Sequence, residues 1–194
     1  MGPPELREVA LAFDLEAAES ELERLARLLT ALLTLAREGG DAPPPTPVSL
    51  GASAKNAEER WRDRAGRRDQ RLVLAGNGEA VAQASEKDVA IVLDNLIENA
   101  LNYSPPATTV SVDWGAADGE AWIAVSDEGP GLEPGEEAAV FERFARGSVG
   151  RSGPGGTGLG LPIVETLAHR WRGRATIANR PEGGLRAELW LPRG

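Results

Sequence analysis

The sequence predicts an α+β protein, a two-layer α/β sandwich with helices on one face of its sheet, preceded by a long N-terminal bundle helix. Three observations carry this. Beyond residue 50, short runs alternate apolar and polar residues with the period of half-buried strands. Between them lie segments whose apolar residues recur at helical spacing, a mixture that packs helices against a sheet. Before them, Leu15, Ala18, Leu22, Leu25, Leu29, Leu32 and Ala36 alternate steps of four and three, the seam of a helix that packs on other helices.

Leu28, Leu33 and Leu35 widen that seam, which suits a bundle better than a two-stranded coil. One helix cannot bury such a face, so a homodimer or docking on the rest of the chain is expected. Gly39-Gly40-Asp41 ends the helix and APPPTP, from Ala42 to Pro47, is a stiff extended linker. The expected division is a helical segment over 1–40, a Pro-rich linker over 41–52 and the main domain over 53–194.

In the domain, Ala54 to Ala65 reads as a polar, arginine-rich helix with Trp61 packed on a neighbour and its charges on a solvated face. Arg71 to Leu74 and Ala80 to Gln83 read as short strands around the turn Gly76-Asn77-Gly78. The next helix starts at Ser85, which forms a short capping box with Asp88, and stops at Pro105. It buries Val89, Val92, Leu93, Leu96, Ile97 and Ala100, while Asn95, Asn99 and Asn102 stack along another face. Asparagine is a poor helix former, so three on one stripe suggest a polar task, a solvated stripe being the plainer alternative.

Thr109–Trp114 and Ala121–Val125 read as a hairpin about Asp118-Gly119. The second strand runs into Asp127-Glu128-Gly129-Pro130-Gly131-Leu132, either an acidic turn or a carboxylate placed to accept from a ligand while glycines admit it to the backbone. Glu133 to Phe144 should be a short helix, and Ala145 to Thr157, with few apolar anchors, a mobile lid. The glycines at 153, 155, 156, 158 and 160 then lead directly into a helix burying Leu161, Val164, Leu167 and Ala168. Bare backbone at a helix N-terminus is an anion site; a flexible loop capped by a helix is the alternative. Strands over Arg174–Ala178 and Leu185–Leu191 close the chain.

Composition excludes several chemistries. No cysteine means no disulfide, thiolate or Cys-ligated zinc, and the single His169 argues against a histidine metal site or a Ser-His-Asp triad. Near the end of its helix that imidazole suits the carbonyl end of the dipole. A net charge of −9 argues against nucleic acid, and no run approaches the about 20 apolar residues of a membrane span. Lys55 and Lys87 do not follow glycine, so a Walker loop is excluded. Gly153-x-Gly155-x-x-Gly158 follows a polar stretch rather than a strand, so its match to a dinucleotide fingerprint is accidental.

Four pieces in order resemble the catalytic domain of two-component sensor histidine kinases, within the superfamily shared with gyrase, Hsp90 and MutL. They are an asparagine box (Asn95-Leu-Ile-Glu-Asn99-Ala-Leu-Asn-Tyr103), a first glycine box (Asp127-Glu-Gly129-Pro-Gly131), a phenylalanine box (Phe141-Glu-Arg143-Phe144) and a second glycine box (Gly156-Thr-Gly158-Leu-Gly160). The resemblance covers about residues 50 to 192 and implies a Bergerat-type ATP-binding fold with a mixed sheet, binding ATP with Mg²⁺. It implies that Asp127 accepts from the adenine amino group, that Gly129 and Gly131, with Leu132, shape the nucleoside pocket, and that Tyr103 flanks the nucleotide. Asn99 would hold Mg²⁺ with Asn95 beside it. Gly156, Gly158 and Gly160 would give amides to the phosphates, with Thr157 and Leu159 between them. Arg143 or Arg146 would neutralise the triphosphate or hold the lid beside Phe144.

Asn102 departs from the resemblance, since the family commonly has Lys or Arg there facing the phosphates; affinity is weaker, or Arg146 and Arg151 compensate. The seam helix looks like the second helix of the family's dimerisation hairpin, yet the phosphoacceptor histidine is missing, with Pro4 standing before Glu5-Leu6-Arg7. Either the hairpin is cut and rejoined, or Leu6 to Phe13 belong to an upstream linker helix. The implied reading is a histidine protein kinase core unable by itself to autophosphorylate, homodimeric through its N-terminal helix. It would serve a response regulator receiver domain as the cytoplasmic part of a membrane-associated sensor. A gyrase- or Hsp90-like ATPase would carry a glutamate where Asn95 stands, and a non-catalytic interaction module would have lost nucleotide binding.

Overall fold

The computed structural model describes residues 43–76, 78–145 and 157–194. The leucine-seam helix, the segment read as a lid between Ala145 and Thr157, and Arg146, Arg151 and Gly156 lie outside the described residues. The elements in order are β1 (Thr46–Ser49), α1 (Leu50–Arg67), β2 (Arg71–Leu74), β3 (Val81–Ala84), α2 (Glu86–Tyr103), β4 (Thr109–Ala117), β5 (Glu120–Ser126), α3 (Gly160–Arg170), β6 (Arg174–Asn179) and β7 (Leu185–Pro192).

Five strands form a mixed sheet in the order β2-β4-β5-β7-β6. Only β2 and β4 run parallel; such a pair needs a crossover, and α2 supplies it. Cross-strand rows such as Val112–Val125–Ala187 and Ile123–Leu189 form one face. These residues are buried, as are Val89, Val92, Leu93, Leu96, Ile97, Ala100 and Leu101 of α2 and Val164 and Leu167 of α3. On the strands' other face Trp122 and Trp190 pair with ring centroids 6.0 Å apart, and the guanidiniums of Arg186 and Arg174 lie over them. The α+β sandwich expected from the periodicities is present.

Several local expectations need correction. Thr46–Ser49, read as linker, pair antiparallel with β3, and Ser49 caps α1 by accepting from Ala52 N at 3.3 Å, so α1 starts at Leu50. A strand of four residues, one of them proline, has no helical or alternating signature, and Pro47 is tolerated because this small sheet has only two strands. β2 and β3 are therefore not hairpin partners; they belong to different sheets. Ser85 makes no side-chain cap. Asp88 instead accepts from the indole of Trp171 at 2.9 Å, a partner 83 residues away that local pattern cannot reveal. Glu133–Phe144 forms only a 3-10 turn at Ala139–Phe141. Pro134-Gly135 occupies its start, Gly135 has φ +90°, and Glu136 and Glu137 spend their carboxylates on the amides of Glu133 and Gly135. In α3, Leu161 is only half-buried and Ile163 takes its place in the core.

Candidate functional site

α1 and α2 run parallel and are joined at four-residue steps. Arg60 pairs with Asp94 at 2.8 Å, Arg64 with Glu98 at 3.2 Å, and Arg68 donates to Asn102 Oδ1 at 2.6 Å. Arg60 and Arg64 thus join α1 to α2, while Arg62, paired with Glu58, and Arg67 remain on the solvated face expected of this helix. Arg68 also reaches Leu101 O, and buried Gln70 donates to the carbonyls of Leu101 and Ser104, which satisfies carbonyls at the end of α2 that no local cap reaches. Asn102 has its oxygen engaged by Arg68, the residue that follows α1; a lysine there would meet that guanidinium.

Asn95, Asn99 and Tyr103 are half-buried along α2. Asn95 donates from Nδ2 to Ile91 O at 2.7 Å, and its Oδ1 lies against the first residue of α3, 3.1 Å from where a Cβ on Gly160 would stand. The side chain of Asn99 makes no hydrogen bond among the described residues. At the other end of the stripe Gly129 sits against Tyr103, whose carbonyl would be 3.0 Å from an added Cβ. From Asn95 to Tyr103 is eight residues, about 12 Å of helix. The first and second glycine boxes therefore flank opposite ends of one asparagine stripe.

Asp127 ends β5 and is only 4% exposed. Its Oδ1 accepts from Gly129 N at 2.8 Å and from Leu185 N at 3.2 Å. Its Oδ2 has no hydrogen bond among the described residues, yet it is absent from the fully enclosed unpaired polar atoms there, which are Gln70 Oε1 and Ser104 Oγ. An acceptor in a desolvated position is thus open to a donor. Burial pushes the carboxyl above the ordinary aspartate range, against the amides of Gly129 and Leu185 and the charge of Arg180.

At the start of α3 the N-cap residue Leu159 offers no side-chain oxygen, so the first-turn amides of Gly160 and Leu161 have no acceptor among the described residues. Thr157 Oγ1 receives the Leu159 amide at 3.4 Å, while the Leu159 side chain is core. Gly158, at φ +67°, donates nothing to this turn but accepts at its carbonyl from Phe144 N at 3.0 Å; a Cβ would press within 2.9 Å of Phe144 Cα. This joins the phenylalanine box to the second glycine box. Phe144 is 70% exposed at φ +64°, and Arg143 is exposed beside it. Among the described residues no three His, Asp or Glu side chains cluster as a metal cage, and no helix is long and apolar enough to cross a membrane.

Comparison with known proteins decides the family. Residues 84–194, more than half of the chain, match the family described as "Histidine kinase-, DNA gyrase B-, and HSP90-like ATPase". The chain belongs to this family. Within the family its relatives are sensor kinases. It is 33% identical over 180 residues to the sensor protein IrlS of Burkholderia pseudomallei, covering 91% of this chain and 38% of that protein. It is 38% identical over 120 residues to the sensor histidine kinase CpxA of Escherichia coli, covering 61% of this chain and 24% of CpxA. The chain thus spans less than half the length of these relatives. The mycobacterial sensor histidine kinase MprB superposes with a TM-score of 0.67 at 27% identity, over 77% of this chain and 97% of that one. The ATP-binding domain of PrrB from Mycobacterium tuberculosis gives 0.61 at 26% identity, over 77% and 98%. The gyrase- and Hsp90-like alternative is not the branch to which these relatives point.

Sequence reasoning missed a further feature of this histidine kinase-like ATPase domain, the β6–β7 turn. Asn179 Oδ1 accepts from Leu132 N and its Nδ2 donates to Leu132 O, both at 2.8 Å, and Arg180 donates to Asp127 O at 2.6 Å. The pair Gly183-Gly184 was the available signal. A Cβ on Gly184 would collide with the Asp127 carbonyl oxygen, so the second glycine is required by contact with the first glycine box.

Proposed function

We propose that this chain is the ATP-binding catalytic core of a sensor histidine kinase, which binds Mg-ATP and presents its γ-phosphate to a histidine carried elsewhere. The observation that carries the reading is Asp127. With Oδ1 spent on two backbone amides, one desolvated acceptor remains, suited to the 6-amino group of adenine. The asparagine stripe runs from there to the uncapped N-terminus of α3, whose free amides and bare Gly158–Gly160 backbone fit phosphate oxygens. A divalent ion would rest on the amide oxygen of Asn99, with Asn95 adjacent and phosphates and water completing the octahedron that magnesium favours. Bound ATP supplies the transferable phosphoryl group. Tyr103, Gly129, Gly131 and Leu132 would wall the nucleoside, and Arg143, beside Phe144, would face the triphosphate.

The relatives' names support a sensor role, and we extend the reading, on the family resemblance and the N-terminal leucine pattern, to homodimerisation through that seam, service to a response regulator receiver domain and a cytoplasmic position beside a membrane sensor. Titration calorimetry tests the core of the reading. ATP should bind with Mg²⁺ and more weakly without it. Asp127→Ala should weaken binding about 10- to 100-fold, as for loss of a hydrogen bond to a charged acceptor. Undetectable ATP binding, or affinity untouched by that substitution, would overturn it and favour the non-catalytic module.

A further inference from the structure

The loop from Asp127 to Leu132 carries the acceptor on which the proposed function rests, and little in the loop itself holds it still. Its sequence is Asp-Glu-Gly-Pro-Gly-Leu, Glu128 and Pro130 are exposed, and Leu132 is only half-buried. The Glu128 carboxylate accepts from Thr109 N at 3.2 Å, and the other restraints come from more than 45 residues away. The side-chain amide of Asn179 pairs with both backbone groups of Leu132, as a neighbouring strand would. Arg180 holds the carbonyl of Asp127, and its own amide closes the turn on Gly184 O at 2.9 Å. Asp127 N donates to Leu185 O at 2.9 Å, and Leu185 N returns a bond to Asp127 Oδ1. One turn therefore grips both ends of the loop, and the side nearest Asp127 also chooses which carboxylate oxygen is left over.

We propose that Asn179 and Arg180 are positioning residues that latch the Asp127–Leu132 loop and so set the base specificity of the nucleotide site. The proposal rests on the reading of Asp127 as the base acceptor. A fixed lone acceptor rewards a ligand donor and repels a ligand oxygen, so the wild-type chain prefers ATP to inosine triphosphate, which has a carbonyl in place of the 6-amino group. Freed of the latch, the carboxylate swings toward solvent and the two bases look alike, while the asparagine stripe and the amides of α3 still hold the triphosphate.

The test is titration of both nucleotides with Mg²⁺ against the full chain and the variants Asn179→Ala, Arg180→Ala and Arg180→Lys, with melting curves to verify folding. The wild type should favour ATP by about 10- to 100-fold. Asn179→Ala and Arg180→Ala should each cut that ratio at least about fivefold, chiefly by weakening ATP, whereas Arg180→Lys, which keeps a donor for Asp127 O, should restore most of it. A merely structural role would weaken both nucleotides in parallel and leave the ratio intact, and that result overturns the latch. Should Asn179→Ala fail to fold, Arg180→Ala decides the matter. A wild-type chain that binds ATP and inosine triphosphate equally overturns the Asp127 reading itself and the latch with it. A normal wild-type preference that survives both alanine variants sinks the latch alone.

Discussion

Asp127, the proposed base acceptor, illustrates how a buried carboxylate destabilises the fold that carries it. Its carboxyl lies above the ordinary aspartate range because desolvation outweighs the amides of Gly129 and Leu185 and the guanidinium of Arg180. The native state therefore binds that proton more tightly than the unfolded chain. Between the unfolded and folded pKa values the native state holds the extra proton, so stability falls as pH rises through this window and the cost is fully present above it. Asp127→Asn keeps an oxygen for both backbone donors and removes the charge. Without nucleotide the variant should melt higher than wild type at pH 7, by about 2–4 °C for each 1 kcal/mol relieved. Calorimetric scans down a pH series should show the gap closing as pH drops through the window. ATP affinity should fall in the same variant, because a carboxylate acceptor has become an amide. A variant less stable than wild type at every pH would contradict the burial argument. Asn102 stands in a different setting, its side-chain oxygen accepting from the guanidinium of Arg68, the residue that follows α1.

At the scale of elements, the α1–α2 ladder separates a buried contact from exposed ones. Asp94 Oδ1 takes both the indole N–H of Trp61, at 2.7 Å, and Arg60 at 2.8 Å. Trp61 is 9% exposed, whereas the Arg60 and Asp94 side chains are about two-fifths exposed, so solvent screens the ion pair more than the indole bond. Arg60→Ala should cost under about 1 kcal/mol. Asp94→Ala should cost about 1–3 kcal/mol, since it leaves a largely buried indole donor unpaired, and urea unfolding of the two variants measures the order. If Arg60→Ala proved the more damaging, the ion pair rather than the indole would join the helices. These helices differ in how far the sequence exposes them. Six of the seven buried positions of α2, all but Leu101, were legible because they repeat at one period, and the β4–β5 hairpin because Asp118-Gly119 marks its turn, both residues at positive φ. β1 and the pairing of β3 were not, since a four-residue strand has no period to read and its partner lies some 35 residues away. Asp88 misled for a related reason: its local spacing fits a cap, but an indole from the end of α3 outcompetes the helix amides.

For the molecule as a whole, the proposed site is legible in proportion to how local its parts are. Asn95, Asn99, Asp127 and Gly158–Gly160 each sit within a short stretch whose residue types carry a chemical reason. Asn179 and Arg180 act across the fold, and nothing near them in sequence announces their targets. The same geometry argues what the chain does not do alone. The triphosphate end of the proposed site is the start of α3, and His169, exposed, is in its last turn, nine residues and about 13 Å further along the axis. In-line phosphoryl transfer needs nucleophile and phosphorus within about 3–3.5 Å, so this imidazole is out of range unless a second chain presents it. Incubation with γ-labelled ATP and Mg²⁺ should accordingly leave the purified chain unlabelled, and His169→Ala should behave identically. A separate polypeptide carrying a phosphoacceptor histidine on a complementary bundle helix should become labelled when mixed with this chain, and at ATP concentrations below saturation Asp127→Ala should slow that transfer by about 10- to 100-fold. Acid-labile label retained by the chain itself and lost in His169→Ala would mean that one copy presents this helix end to the site of another, and the division of labour inferred from the missing histidine would then be wrong.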